Sequence, residues 1–262
     1  MEIENMATKM ANNNQLSKSP CNQEFAEDVK LSLGAKSKYL KPKYFYDHTG
    51  SELFEEICRQ PEYYLTRTEA SILETYSSTI ARIQRNSSNA IIELGSGSSL
   101  KTRILLQAFI GKKQKSLYYF PIDISYSMLQ NTVNMLSKEF PNLYVLELSS
   151  DFLDGIEKAN QIISHKNISA RKIIVFLGSS IGNFEPKEAE SLLRILGSKL
   201  NNNKGDSILV GFDLHKNEKI LNAAYNDLAC TTAKFNLNIL YRINKELGGE
   251  FNQALQTPCF LQ

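Results

Sequence analysis

The sequence predicts an α/β protein, a doubly wound and mainly parallel sheet preceded by a helical segment. Three observations predict it. Short apolar runs alternate with helical stretches through the middle of the chain, which is the rhythm of strand–helix–strand crossovers. One run, Ile173-Ile174-Val175-Phe176-Leu177, is continuously apolar, as a strand buried on both faces must be. A glycine turn, Gly95-Ser96-Gly97, stands where a strand gives way to a helix.

The elements follow in order. Residues 1–24 are polar and rich in Asn, Lys and Ser, and read as a flexible tail. From about Phe25 to Arg85 the pattern is mostly helical. Ser51–Arg59 follows Gly50, with Ser51 as the expected N-cap, and Thr66–Ile83 carries Ala70, Leu73, Ile80 and Ile83 at helical spacings. Pro61 interrupts these helices and leaves Tyr63 and Tyr64 on a connector. Strands are predicted over Ala90–Leu94, Leu117–Ile122, Leu143–Leu148, Lys172–Leu177 and Ser207–Phe212. Helices are predicted over Leu100–Ile110, Ser125–Lys138, Pro186–Leu200 and Lys216–Lys234. A last helix, Asn236–Leu247, ends at Gly248-Gly249. The organisation expected is a tail (1–24), a helical segment (25–88) and a sheet domain (89–262).

Composition narrows the function. The 262 residues carry a net charge of +2, which supplies no dense basic face for nucleic acid. Cys21, Cys58, Cys230 and Cys259 are scattered with no CxxC, so neither a disulfide framework nor a zinc site is expected, and thiols in a reducing compartment fit better. The N-terminus has no signal-peptide pattern and no apolar run reaches about 18 residues, so a cytoplasmic location is expected. His48, His165 and His215 show no metal-ligand spacing.

Four constellations have chemical potential. Glu93-Leu94-Gly95-Ser96-Gly97-Ser98-Ser99-Leu100-Lys101-Thr102 follows a strand and opens a helix. Its glycines let backbone pass close to a ligand, and the helix start offers unpaired N–H groups. It is neither G-x-G-x-x-G nor a P-loop. Asp123 ends the next strand, where a carboxylate can accept from both hydroxyls of a ribose or cap the following helix. Asp151-Phe152 ends the third strand: either an acid and a ring for adenine, or another helix cap. Gly178-Ser179-Ser180-Ile181-Gly182 matches G-x-S-x-G, which would make Ser180 a hydrolase nucleophile. Asp213 and His215, two residues apart, are poorly disposed to serve it as a triad. The tyrosines of Tyr44-Phe45-Tyr46-Asp47 and Tyr63-Tyr64 read as core packing or as a substrate-facing cluster.

Taken together, Lys43–Asp47, Gly50-Ser51-Glu52-Leu53-Phe54, Pro61-Glu62-Tyr63-Tyr64-Leu65-Thr66-Arg67-Thr68-Glu69 and Glu93–Gly97 with Lys101-Thr102 resemble the histidine-specific S-adenosylmethionine-dependent methyltransferases. Gly178–Asn183, Gly211–Asp213, Ala224-Tyr225-Asn226-Asp227 and Phe235-Asn236-Leu237-Asn238 continue the resemblance, which runs from about Leu40 to Phe251. It implies a Rossmann-like class I methyltransferase fold and N-methylation of an amino-acid α-amine. The family's best-known members make trimethylhistidine on the way to ergothioneine. It implies S-adenosylmethionine as cofactor, with Gly95 and Lys101 beside it, Asp123 at its ribose, and Asp151 with Phe152 at its adenine. Tyr63 would lie close to the amine as the catalytic residue. Tyr46, Asn183 and Tyr225 would hold the amino-acid α-amino and carboxylate groups. Ser180 would be a tight-turn residue. The alternatives are a cofactor-binding module without catalysis and the Ser180 hydrolase.

The expected departure from the family is at the C-terminus. Family members continue past the Gly-Gly turn with strands that complete the substrate lobe. Here Asn252–Gln262 shows no family pattern and no acid after Glu250. The expectation is an incomplete C-terminal lobe, whose uncovered apolar surface favours aggregation or a partner chain, and poor or no methylation of histidine by this chain alone.

Overall fold

The computed structural model describes residues 20–83, 88–110 and 116–252. In chain order its main elements are α1 (Pro20–Gly34), a 3-10 turn (Pro42–Phe45), α2 (His48–Arg59), α3 (Tyr64–Ile83), β1 (Asn89–Leu94), α4 (Leu100–Phe109), β2 (Leu117–Asp123) and α5 (Tyr126–Glu139). There follow β3 (Leu143–Val145), β4 (Leu148–Ser149), α6 (Phe152–His165), β5 (Arg171–Phe176), a 3-10 turn (Ser180–Asn183), α7 (Pro186–Ser198), β6 (Ser207–Val210), α8 (Glu218–Tyr225) and α9 (Thr231–Leu247). The chain forms two compact units. Residues up to Tyr63 join those from Asn217 onward in one, and Tyr64–Lys216 makes the other.

The second unit holds the sheet. Its described strands run parallel in the order β3-β2-β1-β5-β6, with β4 continuing beside β2 beyond β3. Side chains alternate between faces. On β1, Ile91 enters the core lined by Leu73 and Ala81 of α3 and Leu105, Leu106 and Phe109 of α4. Ala90, Ile92 and Leu94 enter the opposite core, with Ile156 and Ala159 of α6 and Leu192 and Leu196 of α7. The doubly wound α/β class expected from the sequence is therefore what the chain adopts. From β1 the chain steps to β2 and β3 on one side, then returns to β5 and β6 on the other. The strand order thus reverses between β1 and β5, and the crevice beyond the carboxyl ends of such strands is where ligands bind.

The first unit is helical. Phe25 and Val29 of α1 pack with Tyr44, Phe45, and Ile239 and Ile243 of α9. Asp28 ties α1 to the next turn, accepting from Lys41 Nζ at 2.6 Å and Tyr44 Oη at 2.7 Å.

Several boundaries differ from the sequence reading. Pro20–Glu24 belong to α1 and not to a tail, while the rest of that segment lies outside the described residues. Helix α2 starts at His48: Asp47, not Ser51, is its N-cap and accepts the Gly50 N–H at 2.8 Å. A Cβ at Gly50 would overlap the Phe45 carbonyl oxygen, so glycine is required there. The run Leu143–Leu148 breaks into β3 and β4. Helix α6 is an element that the sequence reading does not include. The stretch predicted as one helix over Lys216–Lys234 is two pieces: α8 ends at Tyr225, and Asp227 supports the start of α9. Its carboxylate accepts from Thr231 N at 2.8 Å and Thr232 N at 2.7 Å. The unit boundary falls at Tyr63–Tyr64 and not near residue 88, since α3 packs into the sheet's core while α9 joins α1. At the far end, Gly248 closes α9 in the left-handed region, as expected.

Candidate active site

The glycine turn caps β1 at the reversal point. Gly95 and Ser96 donate their N–H groups to Ile122 O at 2.9 and 3.1 Å, which locks the turn to the end of β2. Gly95 (φ 67°) and Gly97 (φ 49°) are left-handed, and so is Ser99 (φ 51°), a conformation side chains disfavour. A Cβ on Gly95 would sit 3.6 Å from the Phe152 ring, so the bare backbone faces an aromatic surface. The Ser96 hydroxyl is buried and has no hydrogen-bond partner among the described residues.

Asp123 ends β2 beside this turn. One carboxylate oxygen accepts the Gly97 N–H at 2.9 Å and the other the Ser125 N–H at 2.9 Å. Burial raises its pKa above the ordinary carboxylate range, opposed by these backbone donors. Ser125, not Asp123, is the N-cap of α5, and Asp123 instead ties the two loops together. With backbone N–H groups as its partners, the carboxylate keeps lone-pair capacity for a further donor.

Under the turn lies a buried acid. Glu93 accepts from Thr102 Oγ1 and from Tyr119 Oη, and Tyr119 Oη is 2.7 Å from Ser99 Oγ. Burial pushes Glu93 up to about 7, against the pull of the two hydroxyls.

Lys101 stands in the first turn of α4. Its ammonium pairs with Glu69 of α3, and Glu69 also accepts the Gly178 N–H at 2.8 Å. Glu69 lies inside one of the family-like motifs, yet the sequence reading gives it no role. Its partners are 32 and 109 residues away, a separation no local pattern reveals.

The adenine-side residues divide. Phe152 is half-buried, 5.3 Å from the Phe176 ring in an edge-to-face contact. Asp151 is exposed and is the N-cap of α6, accepting the Asp154 N–H at 3.0 Å.

Beyond β5, Gly178 (φ 81°) and Ser179 (φ 57°) make a left-handed turn into the short Ser180–Asn183 helix. Ser180 Oγ donates to Leu177 O at 3.0 Å, a turn-forming bond. Asp213 is held by Tyr64 Oη and Lys216 Nζ, so its carboxylate is committed elsewhere than to His215. These contacts support the tight-turn reading of Ser180 and give the hydrolase alternative no triad. Asn183 closes the turn and is exposed.

The tyrosines named for substrate lie in the helical unit. Tyr46 meets Phe54 and Phe235 edge-on, each at 5.5 Å. Tyr63 is 6 % exposed, so its ring is packed while its neighbour is open. That neighbour, Tyr225, is 5.9 Å away at 89° and half exposed. Phe54 joins Tyr63 at 6.3 Å. The fold therefore brings Tyr46, Tyr63 and Tyr225 into one aromatic cluster from three separate stretches of chain. Phe54 and Phe235 are members that the sequence reading does not single out as site residues.

The family model for histidine-specific, S-adenosylmethionine-dependent methyltransferases matches residues 25–257, past both ends of the resemblance read from the motifs and into the segment that shows no family pattern by eye. The histidine N-alpha-methyltransferase of Mycolicibacterium smegmatis is 38 % identical over 239 residues, covering 91 % of this chain and 71 % of that protein. Its namesake in Mycobacterium tuberculosis is 39 % identical over 226 residues, covering 86 % of this chain and 66 % of that protein. Ergothioneine biosynthesis protein 1 of Schizosaccharomyces pombe is 33 % identical over 85 % of this chain, which spans 28 % of its length. No helix among the described residues is long and apolar enough to cross a membrane. With residues 25–257 matched end to end by the model, the chain belongs to the histidine-specific, S-adenosylmethionine-dependent methyltransferase family.

Proposed function

We propose that this protein transfers a methyl group from S-adenosylmethionine to the α-amine of L-histidine or a close relative of it. The observation that carries the reading is the joining of Gly97 to Asp123 at the reversal point of the sheet, in a chain of this family. That crevice fits a nucleoside. It offers a carboxylate with lone pairs left for ribose hydroxyls, a glycine backbone open to close approach, the Phe152 face, and the buried Ser96 hydroxyl. Gly95, Lys101, Asp123, Asp151 and Phe152 are the residues proposed to hold the cofactor. When bound, it supplies an electrophilic methyl on a sulfonium.

The rest of the chemistry belongs to the protein. Proximity and in-line orientation of the amine supply much of the rate in such a transfer. An α-amine has a reference pKa of about 8 and is mostly protonated at neutral pH, so its proton must leave before it attacks. The Tyr63 phenol is proposed to orient the amine and to pass that proton on. Tyr46, Asn183 and Tyr225 are proposed to hold the amino-acid head group. Aromatic faces also stabilise the quaternary ammonium that successive methylation produces. The test is mass spectrometry of a panel of amino acids incubated with the protein and S-adenosylmethionine. Methyl additions to histidine above all others support the reading, and a preference for an unrelated acceptor, or a protein that does not bind S-adenosylhomocysteine, sinks it.

A further inference from the structure

One carboxylate gathers three strand ends at the reversal point. Glu69 projects from α3, and its side chain is 16 % exposed. One oxygen receives the Lys101 ammonium from the first turn of α4, the helix that follows β1. Both oxygens lie within hydrogen-bond distance of the Gly178 N–H at the end of β5, at 3.0 and 2.8 Å. Beyond β6, Gly211 donates its own N–H to Phe176 O at 2.9 Å, and a Cβ on Gly211 would overlap Glu69 Oε1. The backbone there has to be bare to admit the acid. A Cβ on Gly178 would in turn stand 3.1 Å from Lys101 Nζ, so both glycines make room for the same ion pair.

We propose that Glu69 is a positioning residue for the cofactor, acting through Lys101. Two physical consequences follow from its contacts. First, a lysine side chain has about 2 kcal/mol of rotamer freedom, and a partner fixed at both ends takes most of that freedom away before any ligand arrives. Second, S-adenosylmethionine carries a sulfonium charge, and a lone ammonium beside it would repel it. Pairing with Glu69 leaves Lys101 able to donate to an anionic group of the ligand while the pair as a whole is neutral. Glu69 itself has its oxygens occupied by protein donors, the Gly178 N–H holding the carboxylate in place, so its effect reaches the ligand through Lys101.

The inference rests on the proposed cofactor reading, and the test separates the two. Binding of S-adenosylhomocysteine, which lacks the methyl and the sulfonium charge, is measured by calorimetry for the wild type, Glu69→Gln, Lys101→Met and the double variant, each checked for folding by circular dichroism. A wild type that does not bind fails the cofactor reading itself. With binding in hand, Glu69→Gln and Lys101→Met are each expected to weaken affinity about tenfold. The double variant is expected to be no weaker than Lys101→Met alone, because the acid acts through the lysine. Unchanged affinity in Glu69→Gln, or losses that simply multiply in the double variant, would overturn the proposal. If Glu69→Gln does not fold, Glu69→Asp takes its place: it keeps the charge but withdraws it from Gly178, and the same non-additivity with Lys101→Met is expected. The positioning role predicts a further split. Glu69→Gln should weaken S-adenosylmethionine less than it weakens S-adenosylhomocysteine only if the freed ammonium does not repel the sulfonium; a larger loss for S-adenosylmethionine is the expected result.

Discussion

The Asp123 carboxylate accepts the Gly97 N–H at 2.9 Å, which fastens the end of β2 to the turn that follows β1. Two features that are 26 residues apart in sequence become one site. Asp123→Ala should therefore act twice. It leaves the Gly97 and Ser125 N–H groups without their acceptor, which lowers stability, and it removes the acceptor proposed for the ribose. A lost hydrogen bond to a charged group costs about 1.5–3 kcal/mol, roughly tenfold to a hundredfold in affinity. To separate the two effects, the wild type should prefer S-adenosylhomocysteine over its 2′,3′-dideoxy analogue, and Asp123→Ala should lose that preference. A variant that retains the preference would leave Asp123 as a turn-forming residue only.

Tyr63→Phe keeps the ring that meets Tyr225 edge-on at 5.9 Å and Phe54 at 6.3 Å, and removes only the hydroxyl. Folding and cofactor affinity should be unchanged. Turnover should fall by about a hundredfold, the usual scale for losing a positioned proton-transfer group. Steady-state kinetics beside calorimetry gives the answer, and wild-type turnover in the variant would reduce Tyr63 to packing.

Glu93 predicts a particular pH dependence of stability. Its pKa is raised by burial from 4.5 to about 7. Between those values the folded protein keeps a proton that the unfolded chain has released, so the native state binds more protons and stability falls as pH rises through the window. The fall is at most about 3 kcal/mol, because each tenfold change in acid strength is worth about 1.4 kcal/mol. Glu93→Gln cannot titrate, and the hydroxyls of Thr102 and Tyr119 can turn to suit the amide. Urea unfolding at pH 5 and pH 8 should show a smaller drop for the variant than for the wild type. Equal drops would mean that the acid ionises normally inside the fold.

Asp227 should behave in the opposite sense. It is buried, which would raise its pKa, but the Thr232 and Thr231 N–H groups outweigh burial and hold it below the ordinary range. Its contribution is present above the unfolded carboxylate pKa and is lost as pH falls through the folded one. Asp227→Ala should cost about 1–2 kcal/mol at neutral pH, as other lost helix caps do, and Asp227→Asn, which keeps one acceptor, should cost less. Urea midpoints for the two variants check this, and a cost that does not shrink on acidification would count against the assignment.

Much of this protein was legible in its sequence, for reasons that are local. Period and punctuation report what the chain does over a few residues. The apolar run Ile173–Leu177 fixed a strand buried on both faces, and the alternation of such runs with helices implied parallel crossovers. Gly95 and Gly97 marked the strand-to-helix turn where bare backbone can approach a ligand, and the structure puts both in the left-handed region. The ordered motifs identified the family that the comparison then established.

Tertiary structure decided what depends on distance along the chain. A continuous helical pattern splits where the Asp227 carboxylate satisfies two N–H groups of a new helix start, an option the apolar spacing does not encode. Helix α3 belongs with the sheet and α9 with α1 because their apolar faces find those cores, and α9 does so although α1 is about 200 residues away in sequence. Glu69 is the clearest case. It closes a family-like motif, yet helical spacing treats it as any acid on a helix. Its role exists only because β1, β5 and β6 end side by side, which places Lys101, Gly178 and Gly211 around one carboxylate. A sequence pattern records the faces each element must bury, and the packing of those faces alone determines which distant polar groups meet at the strand ends.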